Sequence, residues 1–180
     1  CGIAATTLFG LLNGLLVTRV KLPPFIVTLG TLNIAFAITQ LYSRAQTITN
    51  IPDGMNLLGE TFAFGGAMVP FGVVLMLTLY VAVWIWLRET AQGRHVYAVG
   101  NSPEATRLAG ISTEKVLLGV YVLAGVFYGI ASTLTVARTG AGDPNGGQTE
   151  NLDAITAVVL GGTSLFGGRG IILGTLVGAL

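Results

Sequence analysis

Residues 3–18, 25–42, 70–87 and 116–137 contain no charged side chain, and these runs constrain the fold more than any other feature of the chain. A membrane-spanning helix needs roughly 20 consecutive apolar residues, whereas a soluble core has no use for uncharged runs of this length. The 180 residues are 52% hydrophobic and only 9% charged. An ordinary soluble domain has about 25% charged residues. The expected fold class is an all-α membrane protein, a polytopic transmembrane helix bundle in the lipid bilayer, with about five spans and a truncated sixth. The net charge of +1 gives no signal for nucleic acid. Several of the 26 glycines lie inside apolar segments, where they let helices approach closely. The single cysteine, Cys1, cannot form a disulfide within the chain.

In chain order, the first apolar segment (3–18) carries Gly10-x-x-x-Gly14, a small-residue pattern suited to helix packing. Arg19, Lys21, Pro23 and Pro24 make a basic turn. The second segment (25–42) ends on Tyr42, a residue suited to the membrane–water interface. A polar loop over 43–69 holds Arg44, Pro52, Asp53 and Glu60, and its FAFGGAMV stretch is apolar enough to lie at the interface. Pro70 is placed to open the third span, and Trp84 and Trp86 stand beside Arg88 as an interfacial belt. The fourth span (116–137) carries Gly125-x-x-x-Gly129, and Asp143-Pro144-Asn145-Gly146 signals a turn after it. The fifth segment, LDAITAVVLGG, is short and is either the weakest crossing or re-entrant. Only about ten apolar residues follow Ile171, so a piece of a longer protein is expected.

If each apolar segment crosses once, Arg19, Lys21, Arg88, Arg94, Arg107, Lys115 and Arg169 share one side, and Arg44 and Arg138 the other. Cytoplasmic loops carry the excess of Lys and Arg, so seven against two places the first side in the cytoplasm. The outward loops are then acidic, with Asp53, Glu60, Asp143 and Glu150.

The cytoplasmic segment 88–116 is one long polar island. Ser102 suits an N-cap and Pro103 the first helical position, while Glu104 complements the dipole and Gly110 ends the helix. A helix of about two turns over 103–109 follows. A capped helix of this size is also ordinary loop structure. His95, the lone histidine, has no second His or paired Cys for a metal and reads as a solvated polar residue. The glycine-rich run 161–170 lacks the Gly-Lys-Ser/Thr of a phosphate loop, so nucleotide binding in this chain is rejected in favour of a tight bend between helices. Polar residues inside spans either bond across helices or line a path for solute. The candidates for a transport path are Asn13, Asn33 and Gln40, with Gly161, Gly162, Thr163 and Ser164. No span holds a buried acid or base for a proton relay, which counts against a proton-coupled carrier and against a membrane-embedded enzyme.

Glu104-Ala105-Thr106 followed by Gly110 resembles the E-A-A-x-x-x-G pattern of ATP-binding-cassette importer permeases, with Thr106 in place of the second Ala. GRHVYAVGNSPEATRLAGI and LDAITAVVLGGTSLFGGRG together resemble the ribose-type sugar permeases, relatives of the branched-chain amino-acid permeases. The resemblance covers nearly the whole chain and is strongest over 93–178. It implies one transmembrane permease domain over 1–180, in a bacterial cytoplasmic (inner) membrane, that imports a monosaccharide by alternating access. It also implies that Gly100, Asn101, Ser102, Pro103, Glu104, Ala105, Thr106, Arg107 and Gly110 couple the chain to an ATPase subunit. That subunit would hold the ATP and Mg, leaving this chain with no cofactor, no metal and no catalytic residue. The further implied partners are a periplasmic or extracellular solute-binding protein and a second permease chain, as a homodimer. Nucleosides or branched-chain amino acids are the alternative solutes, and an ATP-independent secondary carrier is the alternative class.

Overall fold

The computed structural model describes residues 2–49, 61–64, 67–147, 149–164 and 167–179. Its helices are α1 (Gly2–Thr18), α2 (Pro24–Ser43), α3 (Phe71–Glu89), α4 (Ala91–Asn101), α5 (Pro103–Leu108), α6 (Thr113–Thr139), α7 (Glu150–Leu160) and α8 (Ile172–Gly178). A short antiparallel hairpin, β1 (Thr61–Phe64) and β2 (Ala67–Pro70), precedes α3. The apolar FAFGGAMV stretch therefore contributes a hairpin. Pro70 closes β2 opposite Thr61, and α3 opens one residue later at Phe71. Asp53 and Glu60 of this loop, and Cys1, lie outside the described residues.

The polytopic helix bundle stands. Among the described residues, α2, α3 and α6 are long and apolar enough to cross a membrane, with 20, 19 and 27 residues. At 1.5 Å per residue, α2 is about 30 Å long, the thickness of a bilayer's hydrocarbon core. α1 is a shorter apolar helix of 17 residues. The expected fifth crossing is not a spanning helix: α7 has 11 residues, which reach about 16 Å. Its C-cap is Gly161, and Gly162 turns left-handed at φ +80°. The span count is thus lower than the apolar runs suggest. On α2 the large apolar or aromatic side chains of Phe25, Ile26, Leu41 and Tyr42 are all exposed. At the end of α3 the Arg88 guanidinium lies 5.2 Å from the Trp84 ring centre, an interfacial cation–π pair.

The chain forms two compact units. The first combines Cys1–Leu75 with Leu118–Gly146, and the second combines Met76–Leu117 with Gly147–Leu180. The first unit is organised by the two Gly-x-x-x-Gly motifs, which face each other. A Cβ on Gly10 would stand 2.5 Å from the Tyr121 carbonyl oxygen, and one on Gly125 would stand 2.6 Å from that of Thr6. Gly14 lies against Leu118, and Gly129 against Ile3 and Thr6, so α1 and α6 run antiparallel. Backbones this close leave no room for a side chain, which is the use of small-residue stripes in membrane helices. The segments that follow α2 and α6 are tied as well. Ile48 and Gly142 exchange both backbone hydrogen bonds, at 3.0 and 2.8 Å. Asp143 accepts from the backbone N–H of Asn145 at 2.9 Å through its side chain, and from that of Gly146 at 3.1 Å through its carbonyl, forming the expected turn.

Candidate functional site

The polar island lies in the second unit and builds two helices where the sequence reading had one. α3 ends at Glu89, and Thr90 starts α4: its Oγ1 accepts from the Gly93 N–H at 3.1 Å and donates to the Trp86 carbonyl at 2.6 Å. Gly93 is buried against the backbone of Leu87, which permits this tight reversal. α4 is amphipathic rather than apolar, with Gly93 and Val99 buried and Arg94 exposed.

Ser102 then serves two helices. Its backbone N–H donates to Ala98 as the C-cap of α4, and its Oγ accepts from the Ala105 N–H at 3.3 Å as the N-cap of α5. An extended backbone at φ −155°, ψ 100° makes the corner. Pro103 occupies the first turn of α5, Glu104 sits at its positive end and Arg107 at its negative end. Thr106 is only 5% exposed, and its hydroxyl donates to the Ser102 carbonyl at 2.8 Å, so the departure from Ala is a satisfied polar contact. Ala109 caps the helix and Gly110 follows at φ +83°. The Ile111 N–H donates back to the Thr106 carbonyl at 3.2 Å, completing a Schellman stop. With its termini closed in this way, α5 is a rigid six-residue knob. It presents Glu104, Ala105, Arg107 and Leu108 outward, and Leu108 is 81% exposed.

The glycine-rich run makes the tip of an antiparallel helical hairpin, α7 and α8. Gly161 packs on the backbone of Gly174 and Thr175, and Gly178 on Ala157. The Thr163 and Thr175 hydroxyls are 3.4 Å apart across the hairpin. The loop closes on itself: the Ser164 N–H donates to the Arg169 carbonyl at 2.9 Å, and the Gly167 N–H to the Ser164 carbonyl at 3.2 Å. Leu165, quoted for the family resemblance, lies outside the described residues. This tip rests on the end of α4. A Cβ on Gly100 would stand 2.8 Å from the Gly168 nitrogen, and one on Gly167 would stand 2.6 Å from the Gly100 carbonyl. The Tyr97 hydroxyl donates to the Gly170 carbonyl at 3.2 Å. Beside the contact lies an open cavity of about 380 Å³, walled by Val96, Tyr97, Thr163, Arg169 and Ile172.

The sequence-derived site residues therefore fall into separate groups. Gly100 and Asn101 end α4, Ser102 to Arg107 with Gly110 form the capped knob, and Gly161 to Ser164 lead into the loop pressed on Gly100. Asn13, Asn33 and Gln40 belong to the first unit, and among the described residues no two of them share a partner. Asn13 accepts from the Thr31 hydroxyl at 2.8 Å, a bond from α1 to α2. Asn33 donates to the Leu29 carbonyl of its own helix at 2.9 Å. Gln40 donates to Asn145 of the turn after α6 at 2.7 Å. Tyr97 and Thr175 were not singled out in the sequence, and Gly167 and Gly168 entered only as part of the glycine-rich run 161–170 read as a tight bend.

All of residues 1–180 match the family described as branched-chain amino acid transport system / permease component. The fructose import permease protein of Rhizobium meliloti is 46% identical over 185 residues, covering 100% of this chain and 51% of the relative. The ribose import permease protein of Bacillus subtilis (strain 168) is 38% identical over 170 residues, covering 93% and 52%. The galactose/methyl galactoside import permease protein of Escherichia coli (strain K12) is 34% identical over 184 residues, covering 100% and 54%. The chain spans about half the length of the curated relatives it matches, and no solved structure matches it. On the match over its full length and on relatives this similar, the chain belongs to the family of branched-chain amino acid transport system permease components.

Proposed function

We propose that this chain is part of the transmembrane permease of an ATP-binding-cassette sugar importer, moving a monosaccharide inward by alternating access. One observation supports the reading: α5 is a short helix closed at both termini by its own caps, with its outer face exposed. A rigid knob of this kind suits docking into a groove on a separate subunit. ATP and Mg would be bound by that ATPase subunit, and the work of hydrolysis would reach the membrane through residues 100–110. The names of the relatives support a sugar as the solute; a second reading, a branched-chain amino acid, is supported by the family's own description. The outward loops would receive the solute from a binding protein, and a second permease chain would complete the pathway, in a bacterial inner membrane.

The test is reconstitution of the full-length permease with its neighbouring ATPase and binding protein. One pentose, one hexose, one nucleoside and one branched-chain amino acid are added in turn. Stimulated ATP hydrolysis with a sugar is expected. Stimulation by an amino acid alone would move the solute to the second reading, and absence of any ATPase association would leave a secondary carrier. Within the assembled importer, Gly110→Pro and Ala105→Trp are expected to leave ATP hydrolysis running while uptake falls at least about fivefold, the lower end of ordinary coupling energies. Wild-type uptake by both variants would remove α5 from the coupling path.

A further inference from the structure

We infer that Gly100, Gly167 and Gly168 are positioning residues of a rigid joint, through which the capped helix α5 and the α7–α8 hairpin move as one body. The inference rests on the importer reading above and adds where the motion goes after α5 receives it.

The argument starts from what separates α5 from the hairpin. Ser102, the cap of α5, is one residue beyond Asn101 and two beyond Gly100. Gly100 meets the hairpin tip backbone to backbone, with the Gly168 nitrogen 2.8 Å from where a Cβ would be. A Cβ on Gly168 would in turn lie 2.9 Å from the Asn101 Cα. The Gly100–Gly167 and Gly100–Gly168 contacts are backbone on both sides and contain no side chain that could change rotamer and absorb a displacement; the Asn101 side chain lies beside them, with its Oδ1 3.1 Å from where a Cβ on Gly168 would be. The Tyr97 hydroxyl, one helical turn back on α4, holds the other end of the tip at Gly170. The joint is thus fixed at two points along α4, which resists pivoting as well as sliding.

The hairpin beyond the joint is equally stiff. Its helices touch through backbone at Gly161 and Gly174 and at Ala157 and Gly178. Close-packed backbones transmit displacement rather than damp it, because packed interiors deform very little. Gly167 and Gly168 hold φ +89° and +76°, values that a side chain disfavours. They are therefore glycines for two independent reasons, conformation and contact. A loop serving only as a bend would need the first reason alone.

The test uses the full-length importer reconstituted with its ATPase and binding protein. Nitroxide labels are placed at Gln92→Cys on α4 and Leu173→Cys on α8, both exposed, in an importer whose other cysteines, Cys1 included, are replaced by serine. The distance between them is read by pulsed spin resonance without nucleotide and with ATP held unhydrolysed. The same distance distribution in both states is expected. Gly100→Ala keeps helix propensity but wedges a methyl group into the joint. It should broaden that distribution and lower sugar uptake at least about fivefold. Gly119→Ala, a helix glycine with nothing within 4 Å, should do neither. A distance that shifts with nucleotide in a working importer overturns the joint and leaves the importer reading standing, as does full uptake by Gly100→Ala. If no ATPase engages the permease, the importer reading fails and takes the joint with it.

Discussion

The α1–α6 crossing and the α4–hairpin joint are both made of glycine backbone, yet they are different kinds of contact. The crossing joins two regular helices. It extends from Gly129 against Ile3, through Gly125 against Thr6 and Gly10 against Tyr121, to Gly14 against Leu118. The joint brings a helix end to an irregular loop, at Gly100 and Gly167–Gly168 with one tyrosine hydroxyl beside them. A contact spread over several turns fixes which helices are neighbours. A contact at a helix end, next to a capped exposed knob, fixes where one part goes when another is pushed. Glycine serves the first through the period of a helix and the second through left-handed backbone that only it adopts easily.

The largest expected effect breaks the crossing. Gly125→Leu has no space: a Cβ alone would be 2.6 Å from the Thr6 carbonyl and 2.9 Å from the Thr7 Cα. Both neighbours are backbone, so helices must separate. Overpacking a tight core costs typically 1–3 kcal/mol, and about 3 kcal/mol is expected here. The readout is thermal unfolding of the detergent-solubilised permease, beside Gly119→Leu on the same helix, which meets open space and should stay within about 0.5 kcal/mol of wild type. Equal stability of the two variants would show that α1 and α6 are not packed through this stripe.

The same difference explains what could be read from sequence. The crossing was legible in its parts, because Gly10-x-x-x-Gly14 and Gly125-x-x-x-Gly129 repeat at helical spacing, although nothing in one chain says that they pair. The ends of the long helices were legible within a few residues, since apolar runs end where charges begin. The cap at Ser102, the proline after it and the stop at Gly110 were legible because capping is local chemistry. α4 was not: it carries Gln92, Arg94, His95 and two glycines, so its apolar content is too low to stand out inside a polar island, although its apolar residues share one face. The β1–β2 hairpin was hidden in an apolar stretch that served equally well as an interfacial segment. The joint was hidden most completely. Its partners are some 67 residues apart and touch by backbone, so no side-chain pattern marks the pair.

A middle-sized effect tests whether α5 is stiff through its own caps. Ser102→Ala removes the acceptor for the Ala105 N–H, a loss typically of about 1 kcal/mol. The crossing is untouched, so global unfolding should move little. Amide exchange within Pro103–Leu108 should rise about fivefold, because local opening carries its own free energy. Unchanged exchange there would mean that the island, and not the cap, holds the helix.

The smallest effect separates packing from passage at Asn13. Its side-chain oxygen accepts from Thr31 at 2.8 Å, which joins α1 to α2. The single Thr31 proton also has the Val27 and Thr28 carbonyls of its own helix within reach, at 3.0 and 3.1 Å. Losing the cross-helix bond therefore leaves Thr31 satisfied, and the net contribution is small. A double-mutant cycle of Asn13→Leu and Thr31→Val should give a coupling energy of about 0.6 kcal/mol, the average for such bonds between membrane helices. Sugar uptake by either single variant should follow the amount of folded protein and no more. If Asn13→Leu instead abolishes uptake while unfolding at the wild-type temperature, Asn13 faces the solute. The first unit would then be more than a packed support, and the contrast between its crossing and the proposed joint would need to be redrawn.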